Sequence, residues 1–222
     1  DESAVPVWYI ADPANPDQPA TEHRYPAAGT TNADVTLSIL AVDGDERVDV
    51  EWDRERFPYL ASVTWGGTSG PLTLLVQDRE QTVWQVLAVD DTTGATKVVR
   101  EDHDDDWLFL IPGVPAWLDE DQLVMVVDVE RDGRLTRSIV VDGDAVTPPE
   151  LDVTRVIETS ESAIWFTAAD TPFDQHVYRF DCVTGELEQR TTEPGVHDAA
   201  VGDETAVVVS ATMDLDTPAV EV

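Results

Sequence analysis

The chain has 222 residues, 42% of them hydrophobic, with 46 Asp and Glu against 13 Lys and Arg and a formal net charge of −33. That length and apolar share support one large or two small packed domains and exclude wholesale disorder. The charge excludes nucleic acid and anionic membrane as partners, and no run approaches the ~18 consecutive apolar residues of a membrane span. The acids are spread along the whole chain, so the charge reads first as a solvated surface and only second as a face that attracts cationic peptides. Cys182 is the only cysteine. An intrachain disulfide and a cysteine-based metal site are therefore excluded, and a soluble, cytoplasmic chain is expected over a secreted one. The segment Asp1–Pro6 is acidic and lacks the basic-then-apolar layout of a signal peptide. The sequence starts without Met, which is consistent with excision or processing.

In chain order, the first distinctive stretch runs from Asp12 to Pro26 and holds Pro13, Pro16, Pro19 and Pro26. Proline has no amide hydrogen to give to a ladder, so this stretch predicts a surface excursion and not a central strand. Asp43-Gly44 follows as a hairpin signal. Val48 to Asp53 alternates strictly, with Val48, Val50 and Trp52 on one face and acids on the other, which predicts a half-buried strand. Leu72–Val76, Val83–Val89, Leu123–Val129, Ala163–Ala168 and Ala206–Val209 are short, nearly continuous apolar runs rich in Val, Ile and Trp. They suit strands buried on both faces. Thr93-Gly94, Asp132-Gly133, Asp142-Gly143 and Thr184-Gly185 supply turns between strands. No window of ten residues holds a 3.6-residue apolar period, so very little helix is expected.

A weak internal repeat organises these elements. Val83 to Arg100 runs as a strand, a turn at Thr93-Gly94 and a polar strand. Val177 to Thr192 repeats the layout around Thr184-Gly185, and Ser138–Gly143 is a shorter version. The spacing of roughly 40 to 50 residues is that of four-stranded propeller blades, whose inner strands are apolar because neighbouring blades cover both faces. The expected fold is all-β: a partial β-propeller of about four four-stranded antiparallel blades. Residues 1–222 form a fragment of one such domain. Residues 1–56 are the end of a blade plus a connection, 57–113, 114–152 and 153–194 are blades, and 195–222 start a final one.

Particular segments carry a family resemblance. Asp1-Glu2-Ser3-Ala4-Val5-Pro6 resembles the Asp-Glu-Ser-x-Val-Pro segment of bacterial dipeptidyl peptidase IV propellers. Arg24-Tyr25-Pro26-Ala27-Ala28-Gly29-Thr30-Thr31-Asn32-Ala33-Asp34-Val35 resembles that family's Arg-Tyr-Pro-x-Ala-Gly-x-x-Asn-Pro-x-Val motif, with Ala33 in place of the proline. Tyr59–Trp65, Leu75–Gln81, Asp105-Asp106-Trp107, Val153–Val156, Ile164–Ala168, His176–Arg179 and Asp216-Thr217-Pro218 follow in the family's order. The resemblance covers essentially the whole chain. It implies the second half of the N-terminal propeller of a prolyl oligopeptidase-type serine peptidase that releases N-terminal dipeptides. Two segments depart from the pattern. Leu108–Gly113 is apolar where the family is polar, and Gly133–Ser138 replaces a Gly-x-x-His-Leu-Tyr strand, so the family's polar contacts to extended substrate do not carry over.

The chemistry of the parent is missing from this stretch. A serine nucleophile on an α/β-hydrolase fold needs Gly-x-Ser-x-Gly, and Thr68-Ser69-Gly70 after Gly66-Gly67 does not provide it. The family's paired glutamates for the substrate amine lie upstream of the Asp-Glu-Ser segment. No catalytic, cofactor-binding or metal-binding residue is assigned, and no cofactor is expected. His23, His103, His176 and His197 share no metal-ligand spacing. His103 in the acidic run 102–106 lacks the glycine of a calcium loop, and His176 reads as packing or a satisfied hydrogen bond. Trp52, Trp65, Trp84 and Trp165 read as core between blades, with Trp8 and Trp117 left open. Trp107 is the one weak candidate for a residue lining the parent's central cavity.

The function expected is a non-catalytic propeller fragment that gates peptide access to a hydrolase domain outside this chain. The alternative is a stand-alone propeller that binds proteins or glycans. The parent's α/β-hydrolase domain and its peptide substrates are the expected partners. The open sheet faces of a fragment also predict self-association or closure into a compact partial ring.

Overall fold

The structure is a computed structural model that describes residues 1–44, 46–65, 70–131, 133–202 and 205–222. Asp132 of the predicted Asp132-Gly133 turn, and Gly66 to Ser69 of the rejected nucleophile segment, lie outside the described residues. The described chain is strands and turns, with no helix. It divides into two compact units, the first made of residues 1–63 and 74–108 and the second of 64–73 and 109–222.

The first unit opens with β1 (Val7–Ile10) paired antiparallel to β2 (Thr21–Arg24). The predicted excursion therefore contains a strand. The register Ile10↔Thr21 leaves Pro13, Pro16 and Pro19 in the connection and Pro26 beyond β2, so no proline interrupts the ladder. Every residue of both strands is exposed. A second pair follows, β3 (Leu37–Leu40) with β4 (Arg47–Val50), turned at Gly44 with φ 80°. As the alternation predicts, Val50 is buried and Val48 half-buried while Asp49 and Glu51 are exposed.

Next comes a four-stranded sheet in sequential order: β5 (Tyr59–Thr64), β6 (Leu72–Gln77), β7 (Val83–Val89) and β8 (Thr96–His103). All six residues of β6 are buried, the behaviour of a strand covered on both faces. Outer β8 is mostly exposed and carries the polar residues of the repeat.

In the second unit β9 (Ala116–Trp117), β10 (Leu123–Arg131), β11 (Arg134–Val141) and β12 (Asp144–Ala145) form another sequential sheet. Here β10 is covered on both faces only from Leu123 to Val126. Beyond that it alternates, because Asp128 and Glu130 take the solvent side. The third four-stranded sheet is β13 (Asp152–Thr159), β14 (Ala163–Ala169), β15 (His176–Asp181) and β16 (Leu187–Gln189). Phe166 stacks on Tyr178 at its centre with ring centroids 5.5 Å apart. The chain closes with the three strands β17 (Val196–Gly202), β18 (Thr205–Ala211) and β19 (Ala219–Glu221). The run Ala206–Val209 in β18 is half-exposed, against the expectation of burial on both faces. It is β17, through His197 and Ala199, that supplies this sheet's buried positions.

Successive sheets of the second unit are clasped by side chains. Arg137 of β11 forms a bidentate ion pair with Asp152 of β13, which also accepts the Arg137 backbone N–H at 3.0 Å. Burial pushes the Asp152 carboxyl up, but the Arg137 hydrogen bonds outweigh it and hold the carboxyl below its ordinary value.

The repeat is realised as one turn built twice. Asp90 Oδ1 accepts the N–H groups of Thr92 and Thr93 at 3.0 and 2.9 Å. Asp181 Oδ1 accepts those of Val183 and Thr184 at 3.0 and 2.9 Å. In each, the glycine four residues on has φ 74° and its N–H returns to the aspartate carbonyl at 2.8 Å. The backbone N–H of Thr184, with the Arg179 side chain next, lowers the Asp181 carboxyl to about 2 from an ordinary 3.8.

Two outcomes follow from these turns. A Cβ at Gly185 meets only open space, whereas one at Gly94 would run into the carbonyl oxygen of Asp49. Gly185→Ala should therefore cost about 1–2 kcal/mol, the strain of a side chain at positive φ. Gly94→Ala should cost at least ~1 kcal/mol more through overpacking. Chemical denaturation checks the difference, and equal losses would contradict it. For Asp181, a carboxyl carbon NMR titration should give a midpoint of about 2. Because its folded value is depressed, its stabilising effect is complete above the ordinary 3.8 and is lost as pH falls through about 2. A midpoint at the ordinary value would show that the turn does not hold the anion.

Candidate functional site

Trp107 lies four residues after β8 and is 56% exposed. Its position is set from two directions. Asp104 Oδ1 accepts the N–H groups of Asp106 and Trp107 at 2.8 and 3.0 Å, and those bonds lower the Asp104 carboxyl. The indole Nε1 then donates to Gln81 Oε1 at 2.9 Å. Gln81 sits in the β6–β7 turn with φ 62°, a region that non-glycine residues rarely occupy. Asp102 and His103 of the acidic run thus finish β8, and Asp104 to Asp106 form a turn that presents an indole. His103 Nε2 lies 3.7 Å from Asp105 Oδ1, with both side chains largely exposed. No group of three or more His, Cys, Asp or Glu able to hold a metal ion occurs among the described residues.

The other tryptophans divide. Trp84 is buried under Arg100, whose guanidinium carbon lies 5.9 Å from its ring. Trp165 is half-buried under Arg190 at 5.6 Å. Trp52 is half-buried, and its Nε1 donates to the Phe57 carbonyl at 3.0 Å. Trp117 is buried and donates to Thr73 Oγ1 at 2.8 Å. Trp65, expected in the core, is 62% exposed. It falls one residue past the end of β5, where the ladder no longer fixes which face it occupies. Trp8 is exposed on β1 and meets Tyr25 edge-on at 6.2 Å.

A cavity of about 560 Å³ opens in the second unit between the segment 190–194 and the last sheet. His197, Ser210, Arg190, Glu193, Asp214 and Glu221 supply its polar groups. At its floor His197 Nε2 donates to the Glu193 carbonyl at 2.7 Å, and His197 Nδ1 lies 2.7 Å from Ser210 Oγ. Behind His197 stands His176, its ring stacked at 5.3 Å. Sequence reasoning took each histidine singly. The 20 residues between them conceal the pairing, and burial marks it only in part: His197 alternates with Ala199 as a buried position in β17, whereas β15 buries His176, Val177 and Tyr178 in a row. A smaller cavity of about 400 Å³ in the first unit is lined by Arg47, Asp49, Glu51 and Arg54 among others. Its arginines are already paired, with Asp49 at 2.8 Å and Asp34 at 2.7 Å.

Consecutive antiparallel meanders with apolar inner and polar outer strands, and no helix among the described residues, define a β-propeller-type scaffold. The chain belongs to the dipeptidyl peptidase IV (DPP IV) N-terminal region family, whose model matches residues 1–219. It is similar to the "Probable dipeptidyl-aminopeptidase B" of Phaeosphaeria nodorum, 26% identical over 118 residues, which cover 46% of this chain and 13% of that protein. The crystal structure of Porphyromonas gingivalis dipeptidyl peptidase 4 shares the fold with a TM-score of 0.72 at 19% identity, over 95% of this chain and 31% of that one. A candidate dipeptidyl aminopeptidase IV of Bacteroides ovatus does so with a TM-score of 0.71 at 16% identity, over 96% and 34%. The chain therefore spans about a third or less of the proteins it resembles. No helix among the described residues is long and apolar enough to cross a membrane.

Proposed function

We propose that this chain is the non-catalytic propeller portion of a dipeptidyl peptidase IV-like serine exopeptidase, gating peptide access to a hydrolase domain carried elsewhere in the same protein. The observation that carries the reading is the family match over residues 1–219. The sheets built from residues 57–113, 114–152, 153–194 and 195–222 act as successive blades, and Trp107 lines the central cavity of the parent. Its exposed ring, fixed by Gln81 and Asp104, suits stacking against an extended peptide. The net charge of −33 favours substrates that enter with a free amine.

Isolated residues 1–222 should release no chromophore from Gly-Pro or Ala-Pro substrates, and serine-inhibitor-sensitive cleavage by this chain would overturn the reading. In the full-length protein Trp107→Ala should raise KM for longer peptides roughly two- to tenfold, with kcat on a dipeptide chromogen unchanged. An unchanged KM for longer peptides would remove Trp107 from the substrate path.

Self-association of the isolated chain is part of the same proposal. Trp8, Tyr9 and Ile10 stand exposed on a two-stranded hairpin, with Tyr9 at 67%, and an exposed apolar strand pair seeks a partner. Light scattering should find an assembly larger than the monomer that a Trp8→Ser, Tyr9→Ser double variant weakens. A strictly monomeric wild-type chain would count against it.

A further inference from the structure

The His176–His197 pair joins two sheets. His176 is on β15 and His197 on β17, and the rings are inclined by only 18° with centroids 5.3 Å apart. They are 7% and 3% exposed. The backbone beside them is tied as well. The His197 N–H donates to the Gln175 carbonyl at 2.9 Å, the Gln175 N–H to the Gly195 carbonyl at 2.9 Å, and Gln175 Nε2 to the His197 carbonyl at 3.1 Å.

The partners of the His197 ring define its proton. The Glu193 carbonyl can only accept, so His197 carries its hydrogen on Nε2, and its Nδ1 accepts from the Ser210 hydroxyl. Thr191 Oγ1 accepts the Val177 N–H at 3.0 Å and lies 3.2 Å from His176 Nδ1, towards which its hydroxyl can donate or accept. Rotating one hydroxyl accommodates a first extra proton. A second would place two like charges face to face at 5.3 Å in a buried setting.

We propose that this stack is an acid-sensitive clasp that holds the last two sheets of the chain together at neutral pH and releases them on acidification. The groups around it fit one added proton and not two. Among the described residues lining the cavity that reaches His197, Glu193, Asp214 and Glu221 face one cation, Arg190, which is itself paired with Glu188. On the β15–β17 connection Asp174 Oδ1 accepts the Gly195 N–H at 2.8 Å. From β13, Arg155 reaches Asp198 of β17 at 2.7 Å and cancels its charge. Separating the rings removes that like-charge repulsion, so acidification favours the open arrangement.

The experiment is amide hydrogen exchange on the full-length protein at pH 7.5 and pH 5, corrected for intrinsic rates. Protection at Gln175 and His197 should fall about tenfold or more at the lower pH, while Val86 of β7 keeps its protection. His176→Phe, which keeps a stacking ring without a titratable nitrogen, should abolish the difference. Unchanged protection of the wild type at pH 5, or an equal loss at Val86, overturns the clasp, as does a His176→Phe protein that keeps the wild-type pH response. Should that variant fail to fold, the wild-type comparison between Gln175, His197 and Val86 still decides.

Discussion

In each four-stranded sheet an inner strand has to hide apolar side chains on both faces while giving every backbone group a partner. β6 meets this demand completely, with six consecutive buried residues held in the middle of a four-stranded ladder. Strands of this kind cannot stand at an edge, because an exposed apolar edge would pair with another chain. Polar outer strands and short sequential turns follow from that requirement. Leu74, Val76, Val86, Val124, Ile164 and Phe166 are among the residues fully withdrawn from solvent, and Lys97, Glu101 and Glu188 sit on the exposed outer strands.

The acidity is spent at the same outer positions. Much of it does local work: Asp90, Asp104 and Asp181 cap turns by accepting pairs of backbone N–H groups. Arginines are scarce, and several serve two roles at once. Arg100 covers Trp84 while pairing with Asp102, and Arg190 covers Trp165 while pairing with Glu188. A planar guanidinium can do both because its face is weakly hydrated while its edge donates hydrogen bonds. The same economy appears at Arg137, which pairs with Asp152 and lies 5.7 Å from the centre of the Phe109 ring.

Family membership and catalysis are separate matters for this chain. Membership rests on the match across residues 1–219. The described residues supply antiparallel sheets, an indole held by Asp104 and Gln81, and a histidine pair where β15 and β17 meet.

Strand existence was legible from residue order. Alternation at Val48–Asp53, the apolar runs at Leu72 and Ala163, and the Thr-Gly turns each follow from period-2 burial and the positive φ that glycine accepts. The repeat was legible for the same reason: Asp142-Gly143 joins β11 to β12 where Thr93-Gly94 joins β7 to β8 and Thr184-Gly185 joins β15 to β16. Position relative to neighbours was not. Trp65 has the composition of a core residue and lies outside, because its strand ends one residue earlier. Ala206–Val209 has the composition of a buried strand, yet in the last sheet β17 takes the buried positions. His176 and His197 are unrelated in sequence and stack only because two sheets meet there. Local pattern determines which residues can form a strand and which side each takes. Burial and pairing between distant residues are decided when sheets pack, since they depend on what covers a face.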